Sequence, residues 1–368
     1  MIDWFRIANE AEIPSPALLV YPDRIAENIR RMAAAAGGAD RLRPHIKTHK
    51  LPEVMALFRQ QGISRFKAAT VAEAEMAAAA GAGDVLLAYP AVGPTGPRLA
   101  ALARAFPQTT FRALTDSDVG IDDLDRAACQ AGLRLDTLLD LNVGMDRTGV
   151  PPGPEAVRLA HRIAAAAGLS FGGLHAYDGH LHAAERSELA RRVAAAFAPV
   201  WKLRADLEAA GIPVPLLAAG GTPTSSLLAA YDNVEVGAGT TVLWDAGQPT
   251  ISPDLDYLHA AVLLIRVISK PAPGLACLDL GHKAVASEMP QPRVTIFGLE
   301  QARFPLHSEE HLVVETPLAA DLAVGTVLYG LPRHVCPTVA LYDEAIAVHD
   351  GRAAERWQVT ARNRRISI

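Results

Sequence analysis

From residue 42 to residue 239 short apolar runs, each closed by a polar or glycine-bearing turn, alternate with Ala-, Leu- and Arg-rich stretches of helical character. That alternation is the rhythm of βα units. Runs at 42–48, 65–70, 84–90, 110–115, 135–142, 171–177, 215–220 and 234–237 predict eight parallel strands, the number that closes a TIM-type (β/α)8 barrel. A further run, 16–21, is assigned to the barrel's entry or to pairing elsewhere, and a helix expected over 23–36 can cover the barrel's flank. Beyond Gly239 the texture changes. Short runs at 260–268, 276–280, 294–297, 311–314, 326–329 and 338–342 are separated by Pro and Gly without long helices, which predicts a second, all-β domain. The division expected is an α/β barrel over 14–244 and a β domain over 245–368, with residues 1–13 able to join the latter. The Pro- and Gly-bearing stretch 244–253 serves as the linker.

Composition narrows the partners. With 368 residues, half of them hydrophobic, the chain can bury a large core. Its net charge of −5, with the signs interspersed, offers no footprint for nucleic acid and no polybasic strip for a membrane surface. The start of the chain lacks a signal-type apolar core, and no run is long enough to span a bilayer. Cys129, Cys277 and Cys336 are odd in number and far apart, which argues against a disulfide framework and fits a cytoplasmic setting.

In a barrel of this kind chemistry sits where the strands end, and those ends are polar as a set. Arg43-Pro44-His45-Ile46-Lys47-Thr48-His49-Lys50 closes the first. Side chains two apart share a strand face, so Arg43, His45 and Lys47 point one way and Lys50 the other, which makes Lys47 the lysine held inside a site. Gly220-Gly221-Thr222-Pro223-Thr224 resembles an anion cradle, and Gly237-Ala238-Gly239-Thr240-Thr241 from the next strand can add donors to the same phosphate. Either turn alone is ordinary loop chemistry. An amine and a phosphate cradle at one barrel mouth point to pyridoxal 5′-phosphate, which needs a Schiff-base lysine and a phosphate anchor. Arg147, flanked by Gly144 and Gly149, fits as a donor to the ring's phenolic oxygen, and Tyr177 ends a neighbouring strand. His334 and Cys336, at i and i+2, can grip one divalent ion and leave open positions; the thiolate favours Zn2+, with Mn2+ or Mg2+ as alternatives.

With these residues in view the chain resembles the D-threonine aldolase and D-serine dehydratase family, fold-type III pyridoxal phosphate enzymes whose barrel is like that of alanine racemase. The resemblance is carried by 15–18, 43–50, 144–150, 173–179, 220–224, 279–287, 308–311 and 332–338, and covers almost the whole chain. It implies Lys47 as the Schiff-base lysine, Arg147 at the phenolic oxygen, Gly221, Thr222, Gly239 and Thr240 around the phosphate, and a metal on His334 and Cys336 beside the substrate's 3-hydroxyl. It also implies a lyase on D-3-hydroxy amino acids. Retro-aldol cleavage gives glycine and an aldehyde, and dehydration to a 2-oxo acid and ammonia is the alternative. A pyridoxal phosphate carrier and a racemase rank lower. Cys336 is similar to the dehydratase metal pair, whereas 173–179 is similar to the aldolase strand end. The aldolase pattern has histidine where Asp178 stands, so the base is open among Asp178, His175, His180 and His182. Analogy with alanine racemase implies a homodimer.

Overall fold

The computed structural model describes residues 3–368. It divides into two compact units, one of Ile29–Lys47, Met55–Gly239 and Asn363–Ile368, the other of the described residues up to Asn28, Thr48–Val54 and Thr240–Arg362.

The first strand, β1 (Ala17–Val20), belongs to the second unit. The first unit is built on seven parallel strands in sequential order: β2 (Arg65–Ala68), β3 (Asp84–Pro90), β4 (Thr110–Thr115), β5 (Leu135–Leu141), β6 (Leu169–Ala176), β7 (Leu217–Ala219) and β8 (Val234–Val236). Helices connect successive strands, and their starts follow from local chemistry. Thr70 caps Val71–Ala79 by accepting from the Glu73 amide, while Glu73 reaches back to the Ala69 amide; Ser117 caps Asp118–Ala131 through the Gly120 amide. Covered on both faces, β5 buries every residue but Asp136, its polar Thr137 and Asp140 included.

The ring is closed by residues 42–45 rather than by a full eighth strand. Leu42 bridges Val236 and His45 bridges Lys67, with the Arg43 and His45 amides donating to Val236 and Ala238. Pro44 has no N–H to continue a ladder, and Ile46–Thr48 turns into a 3-10 helix. The expected strand 42–48 is therefore corrected: strand parity holds through His45, and Lys47 is delivered by a turn.

The ring's floor is ionic. Arg43, only 1% exposed, donates to Asp84 and Glu235; Arg112 donates to Asp84 (2.7 Å) and to Asp136, and Arg65 to Glu235 (2.8 Å). Burial alone would raise the Asp84 carboxyl, but Arg43 and Arg112 outweigh it and hold it below the usual carboxylate range. Removing one buried partner strands the others, so Arg43→Met is expected to cost about 3–5 kcal/mol. Urea denaturation checks this, and a loss well below ~1 kcal/mol would contradict it.

In the second unit β1 lies between β9 (Ala261–Ser269), antiparallel, and β15 (Glu344–His349), parallel. The run 16–21 thus pairs elsewhere, away from the barrel sheet and from the expected boundary at residue 14. The sheet continues through β10 (Leu275–Leu278), β11 (Val294–Ile296), β12 (Arg303–His307), β13 (Leu312–Glu315), β14 (Val327–Pro332) and β16 (Arg352–Gln358). Its core gathers Leu19, Val262, Leu264 and Ile346 with an aromatic group in which Phe5 stacks on Phe297 at 3.9 Å. The expected strand 338–342 is corrected: Val335–Val339 is a short helix, and β12, β15 and β16 are strands that the apolar pattern did not reveal.

Candidate active site

A cavity of about 530 Å³ opens in the barrel unit, lined among others by Lys47, Lys67, Asp116, Arg147, His175 and Tyr177. That volume lies within the range of small-molecule sites. The Tyr177 ring, at the end of β6, is its reference point: Arg147 Cζ lies 4.8 Å, Lys67 Nζ 5.7 Å and Lys47 Nζ 6.0 Å from the ring centroid. Arg147 sits in a loop folded on itself, in which Asn142 Oδ1 accepts from the Gly144 and Asp146 amides and Asp116 accepts from the Gly149 amide. Gly149 has φ +92°, and a Cβ there would lie 2.5 Å from the Leu141 carbonyl carbon, so only glycine lets the loop return this tightly.

His175, from β6, is buried and its Nδ1 lies 2.7 Å from Asp140 Oδ1 on β5. Burial, with help from Lys67, lowers its pKa against the pull of Asp140, so the ring is neutral at pH 7. Acidity and geometry together assign the proton to Nδ1, donated to Asp140, and leave the lone pair on Nε2, which has no hydrogen-bond partner among the described residues.

Asp178 differs from its expected catalytic position. It is fully buried and does not line the cavity; Oδ1 accepts from the Gly221 amide (2.8 Å), and burial raises its carboxyl above the ordinary range. Thr224 also receives the Gly221 amide (3.1 Å). Asp178 therefore shapes the Gly220–Thr224 turn, and the Gly221 N–H is spent inside that turn, leaving other donors such as Thr222 for an anion. His180 faces the Arg147 loop, where a Cβ on Gly144 would lie 3.2 Å from its Nε2.

Lys67 was missed by sequence reasoning. Its signal is a lysine between Phe66 and Ala68 in a strand covered on both faces, and the structure buries it to 1% exposure inside the ring. Pyridoxal phosphate fits these residues: two amines, a guanidinium and an orphaned imidazole nitrogen converge on one cavity, and such buried polar atoms call for a ligand.

In the second unit His334 stands at the N-cap of Val335–Val339 and faces Cys336 in its first turn. His334 Nδ1 lies 2.5 Å from Glu288 Oε1, leaving Nε2 for the Cys336 side; the thiol is flanked by the hydroxyls of Thr48 (3.3 Å) and Thr240 (3.5 Å). Asp245 holds the helix start by accepting from the Val335 amide at 2.9 Å. Burial would raise the Cys336 thiol, but His334 and the two hydroxyls bring it below its ordinary value; burial would lower His334, but Cys336 and Glu288 raise it to about 9. An imidazole backed by a carboxylate and paired with an easily ionised thiol suits a divalent ion such as Zn2+. Among the described residues no group of three or more His, Cys, Asp or Glu side chains forms a metal cage, so His334 and Cys336 would supply two ligands and leave the rest open.

Comparison with known proteins places these features in context. Residues 20–243 match the family described as alanine racemase, N-terminal domain, and residues 260–348 match a putative serine dehydratase domain. A D-threonine aldolase from Arthrobacter sp is 31% identical across 96% of this chain and 93% of its own length. A D-threo-3-hydroxyaspartate dehydratase from Delftia sp. (strain HT23) is 26% identical across 94% of this chain and 97% of its own. The crystal structure of D-threonine aldolase from Filomicrobium marinum superposes with a TM-score of 0.89 at 30% identity, covering 97% of this chain and 98% of that one.

Proposed function

The chain belongs to the D-threonine aldolase and D-serine dehydratase family, and from that premise we propose that it is a pyridoxal phosphate- and divalent-metal-dependent lyase that cleaves D-3-hydroxy amino acids to glycine and an aldehyde. The observation that carries the proposal is the Tyr177 cavity, where Lys47 and Arg147 face one space beside a neutral His175.

The cofactor supplies an electron sink for the bond that breaks at the substrate's Cα. Lys47 Nζ would be the amine that holds it. Arg147 would supply a guanidinium donor to its phenolic oxygen, and Tyr177 an aromatic wall to the cavity that takes it. Thr222, Gly239 and Thr240, with the Gly221 turn held in shape by Asp178, are the proposed phosphate anchors. His175 Nε2 is free to take the proton of the 3-hydroxyl, and Asp140 steadies the imidazolium that results. His334 and Cys336 would hold the divalent ion, whose Lewis acidity lowers the proton affinity of a hydroxyl oxygen. We further read the protein as a cytoplasmic homodimer acting on a free amino acid; no helix among the described residues is long and apolar enough to cross a membrane.

The thiol ligand Cys336 favours a second outcome, dehydration, in which Lys47 Nζ removes the Cα proton and the 3-hydroxyl leaves. Product analysis separates the two. D-threonine is expected to yield glycine and acetaldehyde, and 3-hydroxy-D-aspartate glycine and glyoxylate. Ammonia with 2-oxobutanoate or oxaloacetate instead would establish the dehydratase.

A further inference from the structure

Lys67 has no part in the chemistry above, yet its amine reaches the lining of the Tyr177 cavity without a hydrogen bond or ion pair among the described residues. A lysine is almost never buried to this extent without a partner, unless a ligand supplies one. The space it occupies is made by Gly237, where a Cβ would lie 2.7 Å from Lys67 Nζ and 3.1 Å from its Cδ. The amine is thus seated against the turn that leads to Gly239, at a height in the ring fixed by the bridge between Lys67 and His45.

Lys67 Nζ lies 5.7 Å from the ring centroid of Tyr177. Lys47 and His45 face the amine from the closing segment, with Arg43 on the same segment, Asp140 from β5, His175 from β6 and Asp178 from the turn beyond it. Asp140 is already engaged by His175 and Asp178 by Gly221, so neither carboxylate is paired with the amine. Burial first, and Lys47 second, bring the Lys67 amine down to about 7. A phosphate dianion entering the cavity favours its protonated form.

We propose that Lys67 is the charge-setting residue of this site: its ammonium faces the bound cofactor across the cavity and lowers the proton affinity of the cofactor's nitrogens, fixing the pH range over which the site works. This rests on the pyridoxal phosphate reading of the Tyr177 cavity. Lys67 acts through the cofactor held by Lys47 and is a positioning residue, distinct from the groups that handle the substrate's protons.

The test is a spectrophotometric pH titration of the bound cofactor in the holoenzyme, which reads protonation of its nitrogens independently of turnover. Lys67→Met is expected to raise the midpoint by about one pH unit or more, the effect of losing one charge several ångströms away in a partly desolvated site. Lys67→Arg keeps the charge and is expected to stay within a few tenths of the wild-type midpoint. Gly237→Ala places a methyl where the amine sits and is expected to shift the midpoint upward without touching the lysine; it decides the matter alone if Lys67→Met does not fold. A midpoint unmoved in these two variants, or moved as far by Lys67→Arg as by Lys67→Met, overturns the proposal. A wild-type protein that shows no cofactor absorbance sinks the parent function and this inference with it, whereas a normal band that ignores Lys67 sinks this inference alone.

Discussion

Lys47→Ala is expected to abolish both the long-wavelength absorbance of the bound cofactor and at least about 10³-fold of the lyase activity, because the nucleophilic amine that makes the covalent link is gone. Lys50 cannot replace it. It follows the Ile46–Thr48 turn, has φ +54° and does not line the cavity, so the two lysines three residues apart are not equivalent. Lys67 does line the cavity, but its side chain is buried to 1% exposure with the amine seated against Gly237. Borohydride reduction of the wild-type holoenzyme should therefore fix the cofactor on the peptide containing Lys47. Retention of colour in Lys47→Ala, or label recovered on another lysine, would remove the central assignment.

A comparable loss is expected when the His334–Cys336 pair is broken, with a different signature. His334→Ala and Cys336→Ala should each lose at least about 10²-fold in divalent-ion affinity and most of the activity, while the cofactor band stays. Chelation of the wild type should reproduce that state, and Zn2+ or Mn2+ should reverse it. Glu288→Gln is the finer probe. Among the described residues Glu288 bonds His334 Nδ1 alone, so the variant should weaken the metal by about 10-fold to 100-fold by loosening the ring's tautomer and orientation. Metal analysis of the purified variants decides this: a stoichiometric ion in His334→Ala would show that the pair is not the metal site.

Much of this site was legible in the chain because its reagents sit at strand ends, and strand ends are where apolar periodicity stops. The 43–50 octapeptide, the paired glycine turns and His-x-Cys each stood out against their surroundings. Strand parity put Lys47 on the inward side, and the structure places it in the cavity lining, but the strand itself stops at His45, since Pro44 interrupts the ladder and periodicity cannot register a missing N–H. Lys67 escaped because one lysine in a run such as Arg65-Phe66-Lys67-Ala68 reads as a solvated position; only ring closure shows that this face looks inward. Asp178 looked like a free carboxylate beside histidines, and its bond to the Gly221 amide, made across 43 residues, has no local trace. In the second unit β16, Arg-Ala-Ala-Glu-Arg-Trp-Gln, exposes most of its residues and so carries little apolar signal, whereas the β-branched residues around Thr338 suited a strand as well as the helix they form.

The ionic floor beneath the cavity has a thermal consequence. Apolar contacts stop gaining strength as temperature rises, but the hydration that buried charges give up becomes less favourable, so a network such as Arg43–Asp84–Arg112–Asp136 with Glu235 costs relatively less when hot. Two of its members, Arg43 and Glu235, tie the closing segment to β8 at the seam where only isolated bridges replace a strand. Warming should therefore loosen the helical shell before that seam, and the turn bearing Lys47 should be among the last parts of the ring to lose its place.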